Sequence, residues 1–155
     1  MRTPWRSQTP HWAGESPSRR STTDGCIMRG VHCVKTWCKS QLVVALSSGE
    51  AELIAATKAA TEVAGYRSAM QDFGSEVASK LVVDASAAIG MMSQSGLGTA
   101  KHINTRWMWL QGALKRKELT VHKVHTNDNP ADLMTKSLGR DAMERHMQYM
   151  GFHFV

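Results

Sequence analysis

The hydrophobic positions of this chain form short apolar runs in the first third and longer periodic segments afterwards. Residues 26–28 and 31–37 are β-prone runs with Gly30 between them, which predicts a hairpin. Residues 42–46 are a third apolar run and predict a third strand. Residues 1–25 are rich in Arg, Ser, Thr, Pro and Gly without any period, which is typical of a tail or loop.

Helical patterns alternate with strands in the remainder of the chain. Ser47-Ser48-Gly49-Glu50 has the hydroxyl and the acid of a helix start, and an apolar stripe at residues 56, 59, 60 and 63 predicts a helix to about Asp72. Residues 80–84 are an apolar run ending in an acid, as in a central strand covered on both faces. The elements predicted next are helix 85–92, loop 93–100, helix 103–117, strand 119–124, helix 131–138 opened by Asn129-Pro130, and helix 140–150. This order predicts an α/β fold, a mixed sheet flanked by helices.

Length and composition restrict the class of protein. A chain of 155 residues with 42% hydrophobic and 21% charged residues is one ordinary domain that buries a core. It contains no run of 18 apolar residues, so we expect no membrane partner, and its polar, Arg-rich start is unlike a secretory signal. Its three cysteines are spaced like neither a disulfide framework nor a zinc site. We therefore expect reduced thiols in an intracellular protein of the cytoplasm or nucleus.

The net charge of +6 is distributed unevenly. Residues 1–41 have seven Lys and Arg against two acids, residues 42–100 three against six, and residues 101–155 nine against five. Two basic flanks around an acidic middle suit a protein that holds a polyanion and keeps carboxylates at its centre. The alternative is ordinary solvated surface charge, and charge alone does not separate the two.

Three acids occupy special positions in the predicted elements. Glu52 lies near the start of the first helix on its inward side, whereas Glu50 lies on a wetter face. Asp84 ends a buried strand, and Asp132 lies in the first turn after Pro130. Because ligand sites of open α/β sheets lie at the carboxyl ends of strands, the three side chains are expected to converge there. Carboxylates of this kind select Mg²⁺ or Mn²⁺, and two such ions align a water for attack on a phosphodiester.

Each acid also has a purely structural interpretation. Glu52 would be a first-turn acid favoured by the helix dipole. Asp84 would be the N-cap of the next helix. Asp132 would satisfy amides at a helix start.

Several segments, in order, resemble one family, the ribonuclease H domain of copia-type (Ty1/copia) retrotransposon Pol polyproteins. Residues 44–56, VALSSGEAELIAA, closely resemble its "ALSS-x-EAE-[YL]-IA" segment. Residues 82–89 resemble its "D-[NS]-x-[SA]-A-I" strand end, and residues 101–106 its "KHI-D-x-R" motif. Residues 129–136 are similar to "ADILTK", and residues 12–14 and 19–22 to the "DWAG … RRST" opening.

This resemblance implies a ribonuclease H-like fold with a five-stranded mixed sheet, formed by residues 12–140. Residues 1–11 would be an unrelated or disordered lead-in and residues 141–155 a C-terminal helical extension. The implied activity is hydrolysis of RNA in an RNA–DNA hybrid, with Glu52, Asp84 and Asp132 as catalytic, metal-binding carboxylates. The implied partners are the hybrid and the reverse transcriptase part of a polyprotein. The basic side chains expected to face nucleic acid are Lys101, His102, Arg106, Lys115, Arg116 and Lys117.

The sequence departs from the family at its first strand, which reads as degenerate or missing. Thr9 stands where the pattern "D-x-DWAG" has its first Asp, and His11 stands in place of the second. We therefore expect weak or absent ribonuclease activity, with Asp24 and Glu15 as acids that would compensate in part. The alternatives are a non-catalytic nucleic-acid binder and a transposon relic without a function.

Overall fold

The computed structural model of the chain describes residues 19–93 and 105–152, with the side chains of Thr105 and Arg106 left undescribed. The elements are two short 3₁₀ helices, Thr126–Asp128 and Pro130–Met134, and eight others: β1 (Thr22–Arg29), β2 (His32–Ser40), α1 (Ser48–Asp72), β3 (Lys80–Val83), α2 (Ser86–Ser93), α3 (Thr105–Lys115), β4 (Thr120–Lys123) and α4 (Arg140–Tyr149). The predicted α/β class is confirmed.

Strands β1 and β2 form the predicted antiparallel hairpin. Gly30 takes a φ of +65° in its turn, a conformation that glycine adopts without a steric penalty. The hairpin begins at Thr22, so the prediction of a tail up to residue 25 is wrong for its last four residues. Gly25 has no side chain, and this lets the Trp37 ring of the opposite strand lie against the β1 backbone.

Helix α1 begins and ends where the sequence predicts. Ser47 is its N-cap, and Ser47 Oγ accepts from the backbone N–H of Glu50 at 3.1 Å. Glu50 Oε2 in turn accepts from the Leu46 N–H at 2.9 Å, which completes a reciprocal cap. The helix ends at Asp72, and Gly74 follows with a φ of +71°.

The two strand pairs pack on α1. The predicted stripe of α1 is buried together with Leu53, and it contacts β1, β3, α2 and α3. Strands β3 and β4 are parallel, so both run toward the same edge of their sheet, where Asp84 follows β3. The main core consists of Ile27, Leu53, Ala56, Ala59, Ala60, Val63, Leu81, Val83, Ala88, Met92, Trp107, Leu110 and Leu119.

The expected five-stranded sheet is not formed by the described part of the chain, which has two separate two-stranded sheets. One reason is that residues 42–46 are not a strand. Leu42 and Leu46 are exposed and only Ala45 is buried, and within residues 19–93 and 105–152 this run pairs with no strand. The expected first strand and the lead-in at residues 1–11 lie outside the described residues.

The segment after Asn129 also differs from its prediction. Asn129 is the N-cap and Pro130 the first residue, as predicted, but the turn is a short 3₁₀ helix that ends at Met134. It does not continue as an α-helix to residue 138. In the described residues no helix is long and apolar enough to cross a membrane. Cys26, Cys33 and Cys38 are free thiols in the structure.

A substitution at Gly25 tests the hairpin packing. A Cβ there would lie 2.2 Å from Cζ2 of Trp37, so Gly25→Ala is expected to lower the free energy of unfolding by about 1–3 kcal/mol. Gly65→Ala in α1 meets nothing within 4 Å and is expected to raise it by about 0.5–1 kcal/mol. Urea denaturation of both variants measures the difference. Equal effects of the two substitutions would contradict this account of the hairpin.

Candidate functional site

Carboxyl groups from four elements lie within electrostatic reach of Glu52, beside the carboxyl end of β3. The three predicted acids Glu52, Asp84 and Asp132 come from α1, the end of β3 and the 3₁₀ helix Pro130–Met134. The charges of Asp84, Asp24 and Asp132 each raise the pKa of Glu52, so all four groups lie within electrostatic reach. The structure thus brings the predicted acids together and adds Asp24 from β1.

Glu52 is the most perturbed of these groups. Burial, followed by the charge of Asp84, raises the pKa of Glu52 from its ordinary 4.5 to about 9. Its Oε2 atom is buried and finds no hydrogen-bond partner in the described structure. The Glu52 side chain therefore carries a proton at neutral pH and leaves one oxygen unsatisfied in the protein interior.

Two roles were predicted for Asp84, that of a metal-binding carboxylate and that of the N-cap of the next helix, and its surroundings bear on both. Its carboxylate accepts hydrogen bonds from the backbone amides of Asp84 and Ala85, next to the start of α2, as a helix cap would. Its Oδ1 is nevertheless buried without a partner in the described region. Burial, and after it the charge of Asp132, raises the pKa of Asp84. Capping therefore uses only part of this carboxylate.

Lys136 supplies a positive charge within the cluster, and the sequence patterns gave no signal for this role. Its Nζ lies 2.9 Å from Oδ2 of the buried Asp132, one helical turn earlier. The same ammonium lowers the pKa of Glu52 and of Asp84, in opposition to the neighbouring carboxylates. The cluster is therefore partly neutralised by the protein itself.

Asp24 is buried in the middle of β1, and its Oδ2 accepts from Thr135 Oγ1 at 2.6 Å. This contact ties the hairpin to the segment that carries Asp132. One feature of the sequence points to Asp24, which lies two residues before the β-prone run at residues 26–28. Glu15, the other acid expected to compensate, lies outside the described residues.

The prediction that Glu50 lies on a wetter face is wrong. Glu50 is buried because its carboxylate closes the cap of α1, whereas Glu52 is only half-buried. Glu52 remains the better candidate for chemistry for another reason. Its oxygen lacks a partner, while an oxygen of Glu50 is occupied by a backbone amide.

The predicted nucleic-acid contacts are only partly described. Lys101 and His102 lie outside the described residues, and Arg106 lies in α3 without a described side chain. Lys115, Arg116 and Lys117 are exposed at the end of α3, where Arg116 Nε pairs with Glu118 Oε1 at 2.7 Å.

This basic cluster lies before β4, whereas Asp84 lies after the parallel strand β3. The four residues of β3 span roughly 13 Å along the strand between these two ends. A groove of about 400 Å³ adjoins the basic cluster and is lined in part by Lys115, Lys117 and Gln111. The structure therefore places the carboxylates and the basic residues at opposite ends of one strand pair.

Comparison with known proteins finds similarity to a transposon polyprotein. The chain is 32% identical over 143 residues to the retrovirus-related Pol polyprotein from transposon TNT 1-94 of Nicotiana tabacum. The aligned region covers 91% of this chain and 11% of that polyprotein. No family model matches the chain, and no solved structure is significantly similar. The similarity supports a retrotransposon Pol origin for the chain.

The raised pKa of Glu52 predicts a pH dependence of stability. Between pH 4.5 and about 9 the folded chain keeps a proton that the unfolded chain releases, so stability falls as pH rises through this window. Glu52→Gln is expected to remove this dependence, which is worth roughly 1 kcal/mol per pH unit. Urea denaturation at pH 6 and pH 8 measures it. The exposed Glu76→Gln serves as control and keeps the wild-type slope. Identical slopes for all three proteins would refute the assignment.

Proposed function

We propose that this chain is the ribonuclease H-like portion of a retrotransposon Pol polyprotein, with impaired hydrolysis of RNA in RNA–DNA hybrids. The similarity to the tobacco polyprotein supports the origin. The ordered motifs at residues 44–56, 82–89 and 129–136 support the choice of domain within it. Where that domain adjoins reverse transcriptase in a polyprotein, the enzyme is the expected intramolecular partner.

The observation that carries this proposal is the convergence of the Glu52, Asp84 and Asp132 carboxyl groups, two of which have a buried oxygen without a partner in the described structure. Three elements distant in sequence bring like charges together, and burial and repulsion raise the pKa of Glu52 to about 9. Such an arrangement lowers stability unless a cation relieves it. Perturbed carboxylates that converge in this way are typical of functional sites.

The donor chemistry of the site fits Mg²⁺ or Mn²⁺. Both ions prefer carboxylate oxygens, and Glu52 Oε2 and Asp84 Oδ1 are buried oxygens that lack partners in the described structure. As the side chains stand, no three of the described His, Cys, Asp or Glu residues are grouped closely enough to hold an ion. Glu52, Asp84 and Asp132 would hold it only if their side chains moved closer together. Two bound metal ions would align the attacking water and stabilise the charge that develops in the reaction.

The impairment has two causes. Thr9 replaces the first-strand Asp of the family pattern and offers no carboxylate. Lys136 pairs with Asp132 and so competes with a metal ion for one of the remaining ligands. Asp24 adds a carboxylate from the hairpin, but Thr135 occupies its Oδ2, so it replaces the missing group only in part.

The second candidate function is a nucleic-acid binder without catalysis. The Lys136–Asp132 ion pair favours it, because this pair neutralises a ligand without any metal. Exposed Lys115 and Lys117 would contact phosphates in both candidates. In either case we expect the protein to act inside the cell, in the cytoplasm or nucleus, where RNA–DNA hybrids occur.

The catalytic proposal is tested with a labelled RNA–DNA hybrid and Mn²⁺. We expect slow or undetectable cleavage, together with a rise in the melting temperature of the protein when Mn²⁺ is added. Asp84→Asn is expected to abolish both effects, while Asp141→Asn, an exposed acid in the first turn of α4, leaves them unchanged.

The outcomes separate the candidates. Absence of both cleavage and a Mn²⁺-dependent shift in the wild type would overturn the metal site and leave the binder. Failure of the chain to show a cooperative melting transition would instead indicate a relic.

Binding of the RNA–DNA hybrid to the protein tests whether the basic cluster at residues 115–117 contacts nucleic acid. Replacing Lys115 and Lys117 by Gln is expected to weaken retention about tenfold and to reduce the salt slope by about 2. Arg140→Gln is the matched control, since this exposed cation pairs with Glu144 on α4. Filter binding at several salt concentrations measures both quantities. A loss per removed cation from Arg140→Gln equal to that from the double variant would show that only total charge matters.

A further inference from the structure

One face of the hairpin is rich in sulfur and contributes nothing to the proposed chemistry. Cys26 and Met28 of β1 are buried in a small cluster with Met150, and Cys33 and Met134 pack against it. Ile27 points to the other face and enters the main core. The alternation of the strand therefore separates this cluster from the main core.

Two cysteines of this cluster lie on neighbouring strands of the hairpin. Cys33 lies opposite Met28 in the strand register, and Cys26 lies two residues earlier on the same face of β1. Cys33 packs against the cluster that contains Cys26, and its Sγ donates to the Lys35 carbonyl at 3.5 Å. The Cys33 N–H donates to the Met150 carbonyl at 3.2 Å, which fixes this end of β2. Two reduced cysteines thus lie in one cluster on the same face of the hairpin.

The two thiols differ in access and in acidity. Cys26 is buried, whereas Cys33 is half-buried and can meet a reagent from solvent. The hydrogen bond from Cys26 lowers the pKa of Cys33 to about 7, although burial acts in the opposite direction. The third cysteine, Cys38, is exposed, but burial of its sulfur and the charge of Asp24 raise its pKa. The most accessible thiol is therefore not the most acidic one.

We propose that Cys33 and Cys26 form a reversible thiol-oxidation site for small disulfides such as glutathione disulfide. In the first step the Cys33 thiolate attacks one sulfur of glutathione disulfide. The reagent's S–S bond breaks, one glutathione leaves and takes a proton from water, and Cys33 carries a mixed disulfide.

In the second step Cys26 gives its proton to water and attacks the sulfur of Cys33. The second glutathione leaves and is protonated. Two cysteine thiols are then oxidised to a disulfide, and one glutathione disulfide is reduced to two glutathiones. Because Cys26 and Cys33 are diagonal neighbours, closure requires movement at the register shift between Ile27 and Met28.

The first experiment compares the thiols in the unmodified protein. At pH 7 with iodoacetamide, Cys33 is expected to be alkylated at least about fivefold faster than Cys38, because its thiolate fraction outweighs its lower intrinsic nucleophilicity. Peptide mapping by mass spectrometry at successive times measures both rates. A rate for Cys38 equal to or above that for Cys33 would overturn the proposal.

The second experiment tests the resolving step with glutathione disulfide. Intact-mass measurement is expected to show an internal disulfide in the wild type and in Cys38→Ser, but a lasting glutathione adduct in Cys26→Ala. A lasting adduct in the wild type would refute the role of Cys26. If Cys26→Ala does not fold by circular dichroism, peptide mapping of the oxidised wild type decides. A Cys26–Cys33 linkage supports the proposal, and any linkage to Cys38 contradicts it.

Discussion

Packing against α1 is the interaction on which the rest of the molecule depends. In the part of the chain that the structure describes, the hairpin and the parallel pair share no ladder of hydrogen bonds, so both are held by one helix face. That face is made largely of alanines, whose small side chains let strands and helices approach closely. The same helix carries Glu52 one turn from its capped start. The position of the candidate site therefore follows from α1, the helix against which both sheets pack.

The carboxylate cluster shows how stability and chemistry conflict in this fold. Two buried oxygens, on Glu52 and Asp84, have no hydrogen-bond partner in the described structure, and each such group costs roughly 1–3 kcal/mol. A core selected for stability alone would replace them with apolar side chains of similar volume. Local violations of this kind are expected at functional sites, and here they coincide with the acids singled out by the sequence.

Local patterns predicted those elements whose determinants are local. The start of α1 could be predicted because Ser47 and Glu50 satisfy neighbouring backbone amides in a reciprocal cap. Asn129-Pro130 predicted the start of the second helical segment for the same kind of reason. Pairing beyond the local hairpin could not be predicted, because an apolar run such as residues 42–46 forms a strand only when a partner edge is available. The length of the turn after Pro130 likewise depends on contacts with β1, through Thr135 and Asp24. The positions of Glu52, Asp84 and Asp132 in the predicted elements singled them out as candidates. The burial of Glu50 and the ion pair of Lys136 with Asp132 could not be predicted, because they depend on three-dimensional contacts of the side chains.

The ion pair between Lys136 and Asp132 has an evolutionary consequence. Because the ammonium supplies a positive charge inside the acidic cluster, the fold keeps part of its electrostatic balance whether or not a divalent ion binds. Under the proposed function, the loss of a metal-binding carboxylate is therefore expected to disturb catalysis more than folding. We expect such a chain to stay folded after its hydrolytic activity has decayed.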